Sequence, residues 1–113
     1  MRELFLAITI GLFATGAMAH SALERSTPSN EATISEVPTQ VSMGFTSGIR
    51  LTKVALTHAG ESSADLDLGA QTAFGQEFTV PLKNLGSGEY VIEWRGLGAD
   101  GHVLNGAFSF TVE

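Results

Sequence analysis

The stretch from residue 88 to residue 95, Gly-Glu-Tyr-Val-Ile-Glu-Trp-Arg, decides the fold of this 113-residue chain. Tyr90, Ile92 and Trp94 occupy every second position, and the charged residues Glu89, Glu93 and Arg95 lie between them. A period of two places one face of a β-strand against a core and the other in water. We therefore expect a half-buried strand, with its rings in the core and not in a ligand site.

The same alternation recurs on both sides of this stretch. It comprises Val41, Met43 and Phe45; Val54 and Leu56; Phe78, Val80 and Leu82; and Phe108, Phe110 and Val112. Glycine and turn residues separate these segments at intervals of about 8 to 12 residues, which is typical of all-β sandwiches and barrels. Without crossover helices we expect antiparallel strands in two packed sheets. The polar stretch 60–75 predicts a long exposed connection, with one short strand at residues 66–68.

The first nineteen residues have the pattern of a secretory signal peptide. Charged residues at positions 2 and 3 precede an apolar run from Leu4 to Phe13, and Ala17-Met18-Ala19 has the small-x-small form of a cleavage site. The run is shorter than the about 20 residues of a membrane-spanning helix. We expect cleavage after Ala19, which gives residues 1–19 as signal peptide and 20–113 as one periplasmic domain without membrane insertion. An uncleaved anchor is the alternative.

Composition argues against several kinds of site and several classes of partner. The chain has no cysteine, so it can form neither a disulfide nor a thiolate metal site. Its net charge of −6 argues against nucleic acid and anionic membranes as partners. No nucleophile-elbow or phosphate-binding glycine motif occurs, so catalysis has little support.

Two histidines can be combined into a metal site. Cleavage after Ala19 would give His20 a free α-amine beside its imidazole, and these two nitrogens can chelate one ion. Asp100 and His102 are two residues apart, so in extended geometry both side chains leave the same face. The resulting three nitrogens and one oxygen suit Cu(II), although zinc could use the same atoms. By itself, the Asp100-Gly101 pair could simply form a turn.

Other candidate ligands are less suitable. His58 ends a predicted strand without an acidic or histidine neighbour at ligand spacing, so we expect an exposed histidine outside the site. The alternation places Met43 in the core, which leaves the domain without a thioether for Cu(I).

With these residues in view, the chain resembles the CopC family of periplasmic copper-binding (copper resistance) proteins. The resemblance covers essentially residues 20–113. It rests on His20-Ser21-Ala22-Leu23, the Gly-x-Tyr-x-Ile-x-Trp block at 88–94 and Asp100-Gly101-His102. It implies a cupredoxin-like or immunoglobulin-like Greek-key β-sandwich of about seven strands that binds one Cu(II) through His20, Asp100 and His102.

Two positions depart from the family pattern. Ser47 stands where many members carry a glutamate near the copper. The stretch 60–75 has neither methionine nor histidine, so we expect no second site for Cu(I).

The leading hypothesis is a monomeric, non-enzymatic Cu(II) protein. It would buffer or carry copper for resistance or homeostasis, with delivery to an inner-membrane copper transporter of the CopD type. The alternatives are a copper oxidase of the histidine-brace type and a metal-free immunoglobulin-like accessory domain.

Overall fold

The computed structural model describes residues 22–113, and the expected signal peptide and His20 lie outside this range. This part of the chain consists of strands and their connections. The seven strands are β1 Leu23–Thr27, β2 Ala32–Ile34, β3 Gln40–His58, β4 Ala64–Asp65, β5 Gly75–Pro81, β6 Gly88–Gly98 and β7 Val103–Val112. The predicted all-β sandwich of about seven strands is confirmed. Among residues 22–113, no helix has the length and hydropathy that crossing a membrane would require.

Strand β3 holds the two layers together. Its first part pairs with β1 and β5, and its second part, from Ile49 onward, pairs with β4 and β6. The sequence predicted two separate strands here, around residues 41–45 and 54–57. The structure joins them into one continuous strand of 19 residues, which passes from one layer to the other.

The remaining strands complete the second layer, in the order β3, β6, β7 and β2. Most neighbours are antiparallel, as expected, but β2 runs parallel to β7. The prediction of purely antiparallel pairing was wrong at this edge. The residues before β2 carry the chain from the first layer to the second, and the residues after it carry the chain back to the first part of β3. β2 is therefore not joined to β7 by a hairpin.

The core lies between the two layers and consists of the residues whose alternation the sequence displays. Tyr90 is 0%, Trp94 3% and Phe108 2% exposed, which confirms their assignment to the core. The Phe45 and Trp94 rings, from different layers, meet edge to face with centroids 4.9 Å apart. The fully buried aliphatic and thioether side chains include Val41, Met43, Ile49, Val54, Val80 and Ile92.

The connection over residues 60–75 is polar and mostly exposed, as predicted. The short strand within it is β4, at Ala64–Asp65, and not at residues 66–68. Leu66 and Leu68 instead pack, partly buried, against the core. Burial of these two side chains, and not strand pairing, accounts for the apolar pattern.

Candidate metal centre

The turn between β6 and β7 is built by its own hydrogen bonds. The Gly101 amide donates to the Gly98 carbonyl at 3.0 Å, and the Gly98 amide donates to the His102 carbonyl at 2.9 Å. Gly101 has a φ of +85°, a left-handed conformation that glycine adopts without steric cost. The Asp100-Gly101 turn that the sequence predicts is confirmed.

Within this turn, Asp100 holds His102 by two hydrogen bonds. Its Oδ1 accepts from the His102 amide at 3.0 Å, and its Oδ2 lies 2.9 Å from Nδ1 of the imidazole. The side chains are 83% exposed for His102 and 68% for Asp100. The sequence predicted the juxtaposition from extended geometry, whereas the structure achieves it through a turn in which the carboxylate caps the backbone two residues ahead.

The pair leaves one imidazole nitrogen free for a ligand. Nδ1 of His102 is engaged by the carboxylate, and Nε2 has no hydrogen-bond partner within residues 22–113. In protein metal sites, a histidine commonly binds the ion with one nitrogen while a carboxylate fixes the other. Asp100 can therefore orient the imidazole, and in this geometry both of its carboxylate oxygens are engaged by His102.

Each member of the pair shifts the protonation of the other. The pKa of Asp100 is lowered, chiefly by the hydrogen bond to the His102 side chain and then by that to its amide. The pKa of His102 is raised by the hydrogen bond to Asp100 and by the charge of its carboxylate. Both effects favour the ion pair, so a metal must displace a proton that His102 holds more tightly than an isolated histidine would.

The third predicted ligand, His20, lies outside the described residues. Residues 22–113 contain no group of three or more His, Cys, Asp or Glu side chains that could hold a metal ion. Asp100 and His102 are thus a half-site within this part of the chain. A complete site needs at least one donor from elsewhere.

The described chain begins beside β3, which pairs with the strand β6 that leads into this turn. The Ala22 carbonyl accepts a hydrogen bond from the Thr46 amide at 2.9 Å, and Leu23 pairs with Phe45. Three residues beyond Thr46, Ile49 pairs with Gly98 at the base of the turn. The first described residue and the Asp100–His102 turn therefore lie at neighbouring positions along β3.

His58 has a different environment from the one predicted. It is the last residue of β3, as expected, but it is half-buried and not exposed. Its Nε2 lies 2.9 Å from the Ser87 carbonyl, and its ring lies 4.6 Å from that of Tyr90. His58 thus links the connection before β6 to the end of β3. The sequence did not reveal this structural role of His58.

The structure also shows the surroundings of Ser47 and Met43, the two positions that bear on copper preference. Ser47, which stands where a glutamate is common in the family, is exposed on β3. Met43 is fully buried in the core, as predicted, so its sulfur faces no solvent.

The described chain is a small seven-stranded β-sandwich domain with an exposed carboxylate–imidazole pair on the turn between its last two strands. Comparison with known proteins identifies its family. The family model of the CopC domain matches residues 23–113. The chain belongs to the CopC family.

Relatives and solved structures agree with this assignment. Copper resistance protein C of Escherichia coli is 26% identical over 110 residues, covering 88% of this chain and 86% of the relative. Copper resistance protein C of Xanthomonas campestris pv. juglandis is 30% identical over 117 residues, covering 94% and 90%. The crystal structure of CopC from Methylosinus trichosporium OB3b superposes with a TM-score of 0.69 at 26% identity and covers 83% of this chain and 94% of its own.

The structure of PcoC, a methionine-rich copper resistance protein from Escherichia coli, shares the fold. It superposes with a TM-score of 0.58 at 24% identity and covers 83% of this chain and 99% of its own. The recognition of the family from sequence is confirmed.

Proposed function

We propose that this chain is a periplasmic Cu(II)-binding protein that buffers or carries copper, without catalytic turnover. Its copper site consists of His102, Asp100 and His20, the last contributing both its imidazole and the α-amine that signal-peptide cleavage would release. The observation that carries the proposal is the exposed Asp100–His102 pair, in which Nδ1 is held at 2.9 Å and Nε2 is left open.

The position of Ala22 supports the participation of His20. Two residues of extended chain reach at most about 7 Å. His20 is two residues from Ala22, whose carbonyl is hydrogen-bonded to Thr46. Thr46 is three residues along β3 from Ile49, the partner of Gly98 at the base of the turn. An amine and two imidazoles from the proposed ligands, with a carboxylate oxygen, make a donor set of nitrogen and oxygen.

The chemistry of this donor set favours Cu(II). Among divalent first-row metals, Cu(II) stands highest in affinity for such ligands and accepts a tetragonal arrangement. Cu(I) prefers thiolate and thioether ligands. The chain has no cysteine, and Met43 is buried, so the domain from residue 22 onward offers no accessible sulfur. One Cu(II) per chain is the expected stoichiometry.

The family assignment supports the physiological context. The curated relatives carry the name Copper resistance protein C. We infer that this chain acts as a monomer in the periplasm and passes copper to an inner-membrane transporter of the CopD type.

The first test is a Cu(II) titration of two forms of the protein, one beginning at His20 and one with two extra residues before it. The processed form should bind one ion, and the extended form far more weakly, because the amine is then an amide. Intact mass of the exported protein reports the cleavage site and the stoichiometry together. Equal affinity of the two forms would remove His20 from the site.

The second test compares substitutions of the histidines. His102→Ala removes an imidazole and should weaken Cu(II) binding more than Asp100→Asn does. Asp100→Asn removes the carboxylate that holds Nδ1 and is proposed to donate an oxygen, and the loss of an orienting carboxylate alone typically weakens metal binding about ten- to hundredfold. His58→Gln is the matched control, since an amide side chain can still donate to the Ser87 carbonyl. Loss of binding in the control but not in His102→Ala would refute the site.

A further inference from the structure

Three of the six lysine and arginine residues lie together on the outward face of the second layer, in a chain whose net charge is −6. Lys53 pairs with Arg95 across β3 and β6, and Arg95 pairs with Asn105 on β7. Residues directly opposite one another in a sheet point to the same side, as do residues two apart on one strand. Arg50 pairs with Leu97 and thus joins the same face.

We call this surface the basic face; it consists of Arg50, Lys53, Arg95, Leu97, Val103 and Asn105. All of its members are exposed except Leu97, which is half-buried. A shallow depression of about 320 Å³ lies beside Lys53 and Arg95, and its lining also includes Asn105, Ser63 and the acidic residue Glu93.

The stability of the fold does not explain why these three cations lie together. Like charges directly opposite one another in a sheet destabilise it, and Lys53 stands directly opposite Arg95. Within residues 22–113, neither Arg50 nor Arg95 forms an ion pair with a carboxylate. Lys53 lies 3.8 Å from Asp65, but both side chains are exposed, and such pairs contribute little to stability.

Apolar side chains border the cations. Val103, which pairs with Leu97, is 59% exposed, and Phe74 is 49% exposed. The Arg50 guanidinium lies over the Phe74 ring, 5.1 Å from its centroid. A free inorganic anion would contact only the cations, whereas a polypeptide can use the charged and the apolar side chains together.

The basic face also adjoins the candidate copper site. Leu97 and Val103 are paired immediately before and after the residue 98–102 turn that carries Asp100 and His102. A molecule seated on the basic face would therefore lie beside the exposed imidazole.

We propose that the basic face is the docking surface for an acidic segment of the protein that exchanges copper with this chain, an inference that rests on the proposed function. Carboxylates of the partner would contact Arg50, Lys53 and Arg95, and its apolar residues would cover Val103 and Phe74. Complementary charge of this kind mainly raises the association rate and fixes the orientation of the partner.

The probe for the first experiment is a fluorescein-labelled synthetic peptide of glutamate, leucine and glycine, with a version that carries glutamine for glutamate. Fluorescence anisotropy at low salt should show binding of the acidic peptide only. Lys53→Glu should weaken binding about tenfold, because reversal replaces attraction by repulsion of similar size. Lys83→Glu, an exposed lysine outside the basic face, changes the net charge equally and should weaken binding less than about twofold.

Mapping by NMR tests the location independently of the variants. Amide shifts on adding the acidic peptide should concentrate at residues 50, 53, 95, 97, 103 and 105. Arg95→Gln serves as a second variant should Lys53→Glu disturb β4. Equal losses in Lys53→Glu and Lys83→Glu, or shifts on another surface, would overturn the proposal. So would binding of anionic phospholipid vesicles through the basic face in place of the peptide.

A Cu(II) titration separates this proposal from the proposed function. Lys53→Glu should bind Cu(II) as the wild type does, because Lys53 is not a ligand. Loss of Cu(II) affinity in this variant would contradict docking as the role of the basic face. Peptide binding by a wild-type protein that fails to bind Cu(II) would refute the proposed copper site and leave the acidic-segment docking surface standing.

Discussion

Gly106→Ala is the substitution whose effect can be worked out most directly from the structure. Gly106 pairs with Trp94 across β6 and β7, and the indole ring covers the space that a side chain at position 106 would fill. A Cβ placed there would lie 2.9 Å from Cζ2 and 3.0 Å from both Cε2 and Nε1 of the ring. Side-chain carbons do not normally approach one another so closely, so the ring must move.

The indole has little room to move. Trp94 is 3% exposed, and the Phe45 ring packs against it with the centroids 4.9 Å apart. Its buried Nε1 has no hydrogen-bond partner within residues 22–113, so displacement costs packing and no hydrogen bond. Overpacking of this kind costs about 1–3 kcal/mol. Replacement of glycine in a strand returns about 0.5–1 kcal/mol of backbone entropy, which leaves a net loss of up to about 2.5 kcal/mol relative to the wild type.

Urea denaturation followed by far-UV circular dichroism measures this difference. For a domain of this size, the largest net loss corresponds to a Tm lower by about 10–20 °C. Gly48→Ala is the matched control, because nothing lies within 4 Å of the Cβ that it would add. Gly48→Ala gains the same backbone entropy without a clash, so Gly106→Ala should be about 1–3 kcal/mol less stable than Gly48→Ala. Equal stability of the two variants would refute the packing of Trp94 on Gly106.

Two further predictions concern single hydrogen-bonding groups. The Tyr90 hydroxyl donates to the Gly86 carbonyl at 2.7 Å and accepts from the Leu85 amide at 3.0 Å. Tyr90→Phe should therefore lower the free energy of unfolding by about 1–3 kcal/mol in urea, and an unchanged value would contradict these bonds. Because Asp100 raises the pKa of His102, Cu(II) affinity should fall as pH drops through that raised pKa, and Asp100→Asn should move the fall to lower pH. NMR titration of the His102 ring checks the shift, and an unmoved pKa in the variant would contradict it.

Much of the fold could be predicted from sequence because burial dictates the alternation. Tyr90, Ile92 and Trp94 are buried on β6, as their spacing indicated. The partners of each strand could not be predicted this way, since alternation identifies a face and does not identify the neighbour on either edge. The parallel β2–β7 pair and the single long β3 depend on that missing information.

In the candidate site, too, features set by neighbouring residues could be predicted from the sequence, whereas features set by distant residues could not. The Asp100-Gly101 turn and the proximity of Asp100 to His102 followed from local chemistry, which two residues suffice to specify. The half-buried position of His58 did not, because its partner Ser87 lies 29 residues away in sequence. The basic face was missed for a related reason: Lys53 and Arg95 become neighbours only through the β3–β6 register.

The exposure of Asp100 and His102, the proposed ligands, bears on what the domain can do with a metal ion. His102 and Asp100 are 83% and 68% exposed, on a turn that no other strand covers within the described chain. A site that activates a metal for catalysis gains from excluding water and from rigid neighbours that fix its geometry. An exposed pair at the end of a rigid sandwich lacks that enclosure, but an incoming ligand from another protein can reach the metal directly. This geometry supports the proposed transfer of copper between proteins more than it supports catalysis at the metal.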